Sequence, residues 1–399
     1  MGDLILAVNA GSGSIKAKLY SLPGLFFLAA FKVNKVRKGV TLLAAVGQEE
    51  PQEESLPGLT LLTAIKPLVA KVEEICRPFG SIAYVGHRVV QGGPFFAKPA
   101  VMDRETVRKI NDLSTWAPLH NPLSLAVYRE FTKALPAWVG HVAVFDTSLF
   151  VNLPDEEKYF PIPLKLSKAY DIRRYGAHGL AHEYLSSRCY EKYMKTTKGR
   201  LITMQIGSGA SLSAFRDGVC IATSMGLTPL GGIMMSTRSG DLDPSVVTFL
   251  LEKTGMRPQD LESKLNRESG LLGVSGVSGD WQEVKKAIDE GNQDAILAGK
   301  IFIERIADCI GSYFVKLGGL DSLVFGGGIF ENAPYLRASL AKALQESLGT
   351  LIDSRANGTT LNGKEGIISA PGSKVQMVVI PTDEEYIIAR DAAKTLKLR

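Results

Sequence analysis

The chain has 399 residues, more than one core usually holds, so two domains of roughly 150 to 200 residues are expected. Its apolar content of 45% and charged content of 22% are those of a globular protein, and a net charge of +5 without any lysine-arginine run excludes a nucleic-acid arm and favours small anionic ligands. Four scattered cysteines, Cys76, Cys189, Cys220 and Cys309, form no C-x-x-C pair, which excludes a zinc ribbon or disulfide scaffold and points to a reducing cytoplasm.

Residues 4–20 (LILAVNAGSGSIKAKLY) open with an apolar strand and a glycine-serine turn. Ile15, Ala17 and Leu19 then alternate with Lys16, Lys18 and Tyr20, which is strand periodicity. The turn therefore joins a hairpin, unlike a P-loop or a dinucleotide fingerprint, both of which run into a helix. Such a turn is either an ordinary glycine hairpin or an anion nest. Residues 25–31 (LFFLAAF) are too short to span a membrane. No signal-peptide pattern precedes the first strand, and the Met1-Gly2 start lacks the Ser or Thr of a myristoylation signal.

Residues 35–56 and 351–366 read as polar surface excursions. Buried strands are expected at 82–85, 142–145, 323–325 and 375–380, and helices at 121–135, 182–194 and 281–317 with a break near Gly291. Ligands collect beyond the carboxyl ends of strands in open α/β sheets, which singles out Gly86-His87-Arg88, Asp146-Thr147, Gly326-Gly327-Gly328 and Thr382-Asp383-Glu384. A second strand-turn-strand pattern at 201–215 (LITMQIGSGASLSAF) lies half a chain from the first and suggests two related domains.

Arg88 in VGHRVVQGG and Arg238 in STRSGDLDP carry planar forks suited to carboxylate and phosphoryl oxygens, although either alone is more often a surface ion pair. His178 and His182 in RRYGAHGLAH lack the H-E-x-x-H pattern of a zinc protease. His182 reads as helix packing and His178 as a donor to developing negative charge. His120 in APLHNP either faces a ligand or caps the helix that follows.

NAGSGSIK, GHRVV, APLHNP, VFDTS, RRYGAHG, TSMGLTPL, TRSGDLDP and PTDEE occur in this order, and together they closely resemble the acetate kinase family from residue 4 to about residue 393. The resemblance implies an α/β fold of two duplicated actin-like, ribonuclease H-like domains with a catalytic cleft between them. It sets residues 1–147 with 382–399 as the first domain and 148–381 as the nucleotide-binding domain. The implied reaction is reversible transfer of the ATP γ-phosphoryl group to acetate.

The resemblance makes Asn9 and Glu384 the site of Mg²⁺ or Mn²⁺. Arg88, His120, Asp146, His178 and Arg238 become the catalytic set, and Val90, Leu119 and Pro229, with Arg88, the acetate pocket. ATP or ADP is implied as co-substrate at Lys16, Gln205, Ile206, Gly207, Ser208, Gly209, Asp280, Trp281, Gln282, Gly328, Ile329, Phe330, Glu331 and Asn332. A cytoplasmic homodimer that binds neither nucleic acid nor membrane is also implied. Because acetate is already ionised at neutral pH, Asp146 is expected to orient an arginine or the magnesium shell rather than move a proton.

Departures from the family cluster in the nucleotide segments. QIGSG stands for the usual HLGNG, Gln282 for an arginine and Phe330 for a glycine, while Ala177 replaces the Phe of many relatives. Phe330 either stacks on a purine, fills the pocket or packs on the surface. Altered nucleotide use follows as an expectation, with pyrophosphate or another nucleotide as alternative donor and propionate as alternative acceptor. A noncatalytic actin-like assembly protein would need neither arginine, and a dinucleotide oxidoreductase would need a helix after GSGS.

Overall fold

Residues 4–8 (LILAV) are apolar without alternation, the pattern of a strand covered on both faces, and all five are buried. They form the middle of β1 (Gly2–Ala10) in the computed structural model, which describes residues 2–11, 13–118 and 120–396. The chain divides into two units, one of residues 1–151 with 383–399 and one of residues 152–382. The first runs on past Thr147 to take in the whole 3-10 turn Asp146–Phe150, whose Phe150 is buried.

The first unit is built on an eight-stranded sheet. Its strands are β1, β2 (Ser14–Ser21), β3 (Phe26–Val36), β4 (Gly39–Val46), β5 (Gln52–Pro57), β6 (Gly80–Val89), β7 (Ala100–Val101) and β8 (Gly140–Phe145), ordered β5-β4-β3-β2-β1-β6-β8-β7. β1, β6 and β8 are parallel, and the remaining pairings are antiparallel. One face is covered by the helix Ile65–Cys76, whose Ile65, Leu68, Val69, Val72 and Cys76 form a helical apolar stripe. The helix Glu384–Thr395 packs on β1, β6 and β8.

The second unit has a six-stranded sheet of β9 (Arg200–Ile206), β10 (Ala210–Arg216), β11 (Val219–Thr223), β12 (Ser322–Gly326), β13 (Gly366–Ile367) and β14 (Gln376–Val379). Its order, β11-β10-β9-β12-β14-β13, repeats the first sheet from β3 onward: a three-stranded meander, two further parallel strands and an antiparallel edge. Both glycine turns close hairpins, with Ala10 opposite Ile15 and Ile206 opposite Ala210.

Two segments differ from expectation. Residues 35–56 are not a surface excursion, because Val40, Leu42 and Ala44 alternate into the core as β4. The charged residues that suggested a loop lie on the turns and on the exposed edge strand β5, where Glu53 and Glu54 discourage edge-to-edge pairing. The helix expected from His182 begins at Gly179, runs to Arg188 and continues as a π-helical turn, Cys189–Met194.

Candidate active site

In the first unit the parallel strands deliver polar side chains at their carboxyl ends: Asn9 from β1, Arg88 from β6 and Asp146 directly after β8. Arg88 donates to Asp146 through Nε (3.1 and 3.2 Å) and Nη2 (2.6 Å), and its Nη1 donates to Asn9 Oδ1 at 3.0 Å. Burial opposes the arginine charge, but the Asp146 and Glu384 carboxylates more than offset it, so the guanidinium is held ionised with its pKa raised. Asn9 Nδ2 in turn donates to Glu384 Oε2 (2.6 Å) and Glu385 Oε1 (2.9 Å) at the start of the helix Glu384–Thr395.

Glu385 is 5% exposed, and burial raises its pKa despite the nearby Lys18 and Lys16. Lys18 pairs with Asp383 at 2.7 Å, and Lys16 is exposed one pleat away on β2. Val90 is buried directly after β6, and His120 supplies the backbone N-cap of the helix Asn121–Ala134 without a side-chain cap bond. Leu119 lies outside the described residues.

His87 neighbours Arg88 on β6 but alternates to the other face. Its Nε2 meets His141 Nδ1 at 2.9 Å inside an aromatic box with Tyr128 and Phe131. Burial, with the neighbouring His141, keeps His87 well below the ordinary histidine pKa, and burial lowers His141 to about 4.

In the second unit His178 takes the left-handed conformation (φ 59°) that starts the helix Gly179–Arg188. That helix also carries His182, which is completely buried. Far from merely packing, His182 bonds Ser211 Oγ at 2.8 Å and Thr203 Oγ1 at 2.7 Å, and Ser211 Oγ also bonds His178 Nδ1 at 2.8 Å. The other edge of His178 faces the second glycine turn. A Cβ at Gly209 would lie 3.2 Å from His178 Nε2 and 3.4 Å from Arg238 Nη1.

Arg238 donates from Nη1 to the Pro229 carbonyl at 3.0 Å and to Met235 Sδ at 3.6 Å; among the described residues it meets no carboxylate. Burial lowers its pKa.

The glycine loop after β12 adjoins this turn. A Cβ at Gly207 would lie 3.9 Å from Gly328 N, while at Gly327 (φ +83°) a Cβ would sit 2.6 Å from Ile206 N, so only glycine fits there. Glu331 Oε1 accepts from Gly327 N (2.8 Å) and Thr382 N (3.1 Å), and Thr382 Oγ1 donates to Gln205 Oε1 at 2.8 Å. The unit thus offers two adjacent turns of small residues whose backbone can approach an anion closely, flanked by a guanidinium and an imidazole.

These motifs have counterparts in known proteins. The chain matches the Acetokinase family over residues 4–390. It is 40% identical over 390 residues to the acetate kinase of Macrococcus caseolyticus, covering 97% of each chain. The chain belongs to the acetokinase family. It is therefore a phosphotransferase with a carboxyl group as acceptor, and its fold is the duplicated actin-like one of that family.

Two solved acetokinase-like structures superimpose on it. The crystal structure of Porphyromonas gingivalis acetate kinase gives a TM-score of 0.85 at 37% identity, covering 99% of this chain and 100% of that one. A propionate kinase from Francisella tularensis gives 0.89 at 33%, covering 98% and 99%.

Several residues expected at an acetokinase nucleotide site turn their side chains elsewhere. Phe330 neither stacks on a purine nor packs on the surface: it is 1% exposed and lies 5.2 Å from Phe325 within the core. The short helix Gly328–Asn332 rotates it inward. Trp281 is likewise a core residue, stacked 6.2 Å from Phe302, and Ile206 is completely buried, which leaves these three positions only their backbone to offer a ligand. Ser208, Gln282, Gly328 and Asn332 are exposed, Ile329 is half-buried, and Asp280 caps the helix Trp281–Asp289 by accepting from Gln282 N.

Arg337 was not singled out by sequence. Fully buried, it donates to the carbonyls of Phe330 (2.5 Å), Glu331 (3.1 Å), Asn357 (2.6 Å) and Thr360 (3.1 Å) and to Asn357 Oδ1 (2.7 Å), so it anchors the far end of the glycine-loop helix. The segment 351–366, expected to be a plain surface excursion, supplies the remaining acceptors from Asn357 in the helix Ser354–Thr359 and from Thr360 just after it. No sequence signal marks such a contact.

Proposed function

We propose that the protein catalyses reversible, direct in-line transfer of the γ-phosphoryl group of ATP to acetate, giving acetyl phosphate and ADP. The observation that carries this reading is Arg238, a half-buried guanidinium beside His178 and the glycine turn whose hydrogen bonds, among the described residues, go to a carbonyl and a thioether. Desolvation of that charge is unfavourable until an anion meets it, and phosphoryl oxygens suit its fork. In this reading Arg238 and His178 stabilise the transferring group. Preorganised donors of this kind, together with positioning, are the main source of catalysis in phosphoryl transfer.

Arg88 binds the acetate carboxylate and the moving phosphoryl group. Asp146 and Asn9 occupy three of its nitrogens and fix its plane before substrate arrives. Asp146 acts as a positioning residue, since ionised acetate has no proton to surrender. His120 adds a further contact, and Val90 and Pro229, with Leu119, receive the acetate methyl. Lys16 and the two glycine turns hold the donor phosphates, and Gln205, Asp280, Gln282 and the backbone of residues 328–332 line the nucleotide.

Asn9 and Glu384 would hold Mg²⁺ or Mn²⁺ in this reading: Glu384 supplies a carboxylate, while the Asn9 amide oxygen already accepts from Arg88 Nη1, so Asn9 would act through a water of the ion's shell. A site so sparse suits a hard cation that keeps waters and takes its remaining ligands from phosphates. When bound, such an ion neutralises charge on the transferring phosphates.

A cytoplasmic homodimer completes the proposal. The helix Pro244–Thr254 buries none of its residues and exposes Val246 and Phe249 beside Leu242, an apolar face that a second copy would cover. Among the described residues no helix is long and apolar enough to cross a membrane.

The test is a donor panel of ATP, GTP, inosine triphosphate and pyrophosphate, each with acetate and Mg²⁺, read as acetyl hydroxamate. Turnover with ATP is expected. Turnover with pyrophosphate alone would replace the donor, and no hydroxamate with any of them would overturn the reading.

A further inference from the structure

Four buried groups form a continuous chain behind His178. His178 Nδ1 meets Ser211 Oγ at 2.8 Å, Ser211 Oγ meets His182 Nε2 at 2.8 Å, His182 Nδ1 meets Thr203 Oγ1 at 2.7 Å, and Thr203 Oγ1 reaches the Ser213 carbonyl at 3.4 Å. Ser211, His182 and Thr203 are all 0% exposed, so no solvent proton interrupts the sequence.

Each hydroxyl has a single proton to give, and so has a neutral imidazole. Burial, with some help from His178, keeps His182 well below the ordinary histidine pKa and therefore neutral. Only two arrangements of protons then satisfy the three inner contacts, and they run in opposite directions.

The Ser213 carbonyl separates them, because a carbonyl can only accept. If Thr203 donates to it, Thr203 must accept from His182 Nδ1–H. His182 Nε2 then accepts from Ser211, and Ser211 accepts from His178 Nδ1–H. This direction uses all four contacts, whereas the reverse forfeits the last. The strand register makes the chain possible: Thr203 pairs with Ser213 across β9 and β10, while Ser211 lies two residues back on the same face of β10.

We propose that Thr203, His182 and Ser211 are positioning residues that place the proton of neutral His178 on Nδ1 and leave Nε2, the nitrogen facing Gly209, unprotonated. His178 then donates from Nε2 only after taking up a second proton, so the ring that meets a phosphoryl oxygen does so as a cation. That consequence rests on the functional reading above; the proton placement itself does not.

The experiment is a long-range ¹H–¹⁵N correlation spectrum of histidine-labelled protein at pH 8.5 without substrates, with the His178 signals identified by their loss in His178→Asn. The expected wild-type pattern is a protonated Nδ1 and an unprotonated, pyridine-like Nε2. Thr203→Val removes the acceptor of His182 Nδ1–H and should reverse the pattern, and Thr203→Ser should restore it. A protonated Nε2 in the wild type, or an unchanged pattern in Thr203→Val, would overturn the proposal. Failure to form acetyl phosphate would instead remove the functional reading and leave the proton placement intact.

Discussion

Arg88 and Asp146 share a two-nitrogen contact, with Nη2 at 2.6 Å and a carboxylate that is completely buried. Arg238 has no such partner among the described residues. The two arginines should therefore respond differently to removal, although the proposed function puts both on the substrate.

Arg88→Ala and Arg238→Ala are each expected to lower kcat by two or more orders of magnitude, since a charge-assisted contact in a dry site contributes about 3 to 4 kcal/mol in the transition state. Their stabilities should diverge. Arg88→Ala leaves a buried carboxylate without its cation, at a cost of about 3 kcal/mol, whereas Arg238→Ala relieves an uncompensated charge and should leave the melting temperature unchanged or higher. Parallel kinetic and thermal-melt measurements check both. Wild-type turnover in either variant removes that arginine from the site.

Acid should destabilise the fold earlier than the carboxylates alone would allow. His87, His141 and His182 are neutral in the folded protein with pKa values below the ordinary 6.5, His141 at about 4. The stability this represents is fully present above about pH 6.5 and is lost as pH falls, because the unfolded chain takes up protons first. The melting temperature should thus decline steadily between pH 7 and pH 5, and less steeply in His87→Phe. A flat profile over that range contradicts the burial argument.

Phe330 should matter for stability and not for donor choice. Phe330→Ala is expected to cost about 3 to 5 kcal/mol as a core cavity, and Phe330→Leu less than about 1.5 kcal/mol. Chemical denaturation measures both. Nucleotide KM values across the donor panel should stay within about twofold for Phe330→Leu, since the side chain points away from the loop surface. A switch in donor preference would return Phe330 to the nucleotide.

Self-association should depend on the helix Pro244–Thr254. Phe249→Asp places a charge on a face with no buried residue, so the fold should tolerate it while the dimer does not. Sedimentation of the wild type and the variant at micromolar concentration decides the matter. A monomeric wild type would end the dimer proposal.

Sequence reasoning reached what local chemistry encodes. The glycine turns followed by alternating residues marked both hairpins, and apolar runs marked β6, β8, β12 and β14. It failed on β4 and β5, where charged turns and a charged edge strand look like a loop, and on Phe330, because a neighbour of a glycine loop can rotate into the core within one helical turn. Ser211 and Thr203 were invisible for another reason: small hydroxyls in apolar strands acquire meaning only when strand register stacks them under a histidine from elsewhere.

The repeated strand order has a consequence for how such a protein can be altered. In each hairpin the penultimate residue of the first strand looks across at a residue of the second, Asn9 at Lys16 and Gln205 at Ser211. One chassis thus carries two sets of fittings: an amide and an ammonium beside acidic groups in one copy, an amide and a hydroxyl beneath imidazoles in the other. Exchanging a single facing pair between the copies would swap local chemistry while leaving the ladder of main-chain bonds in place.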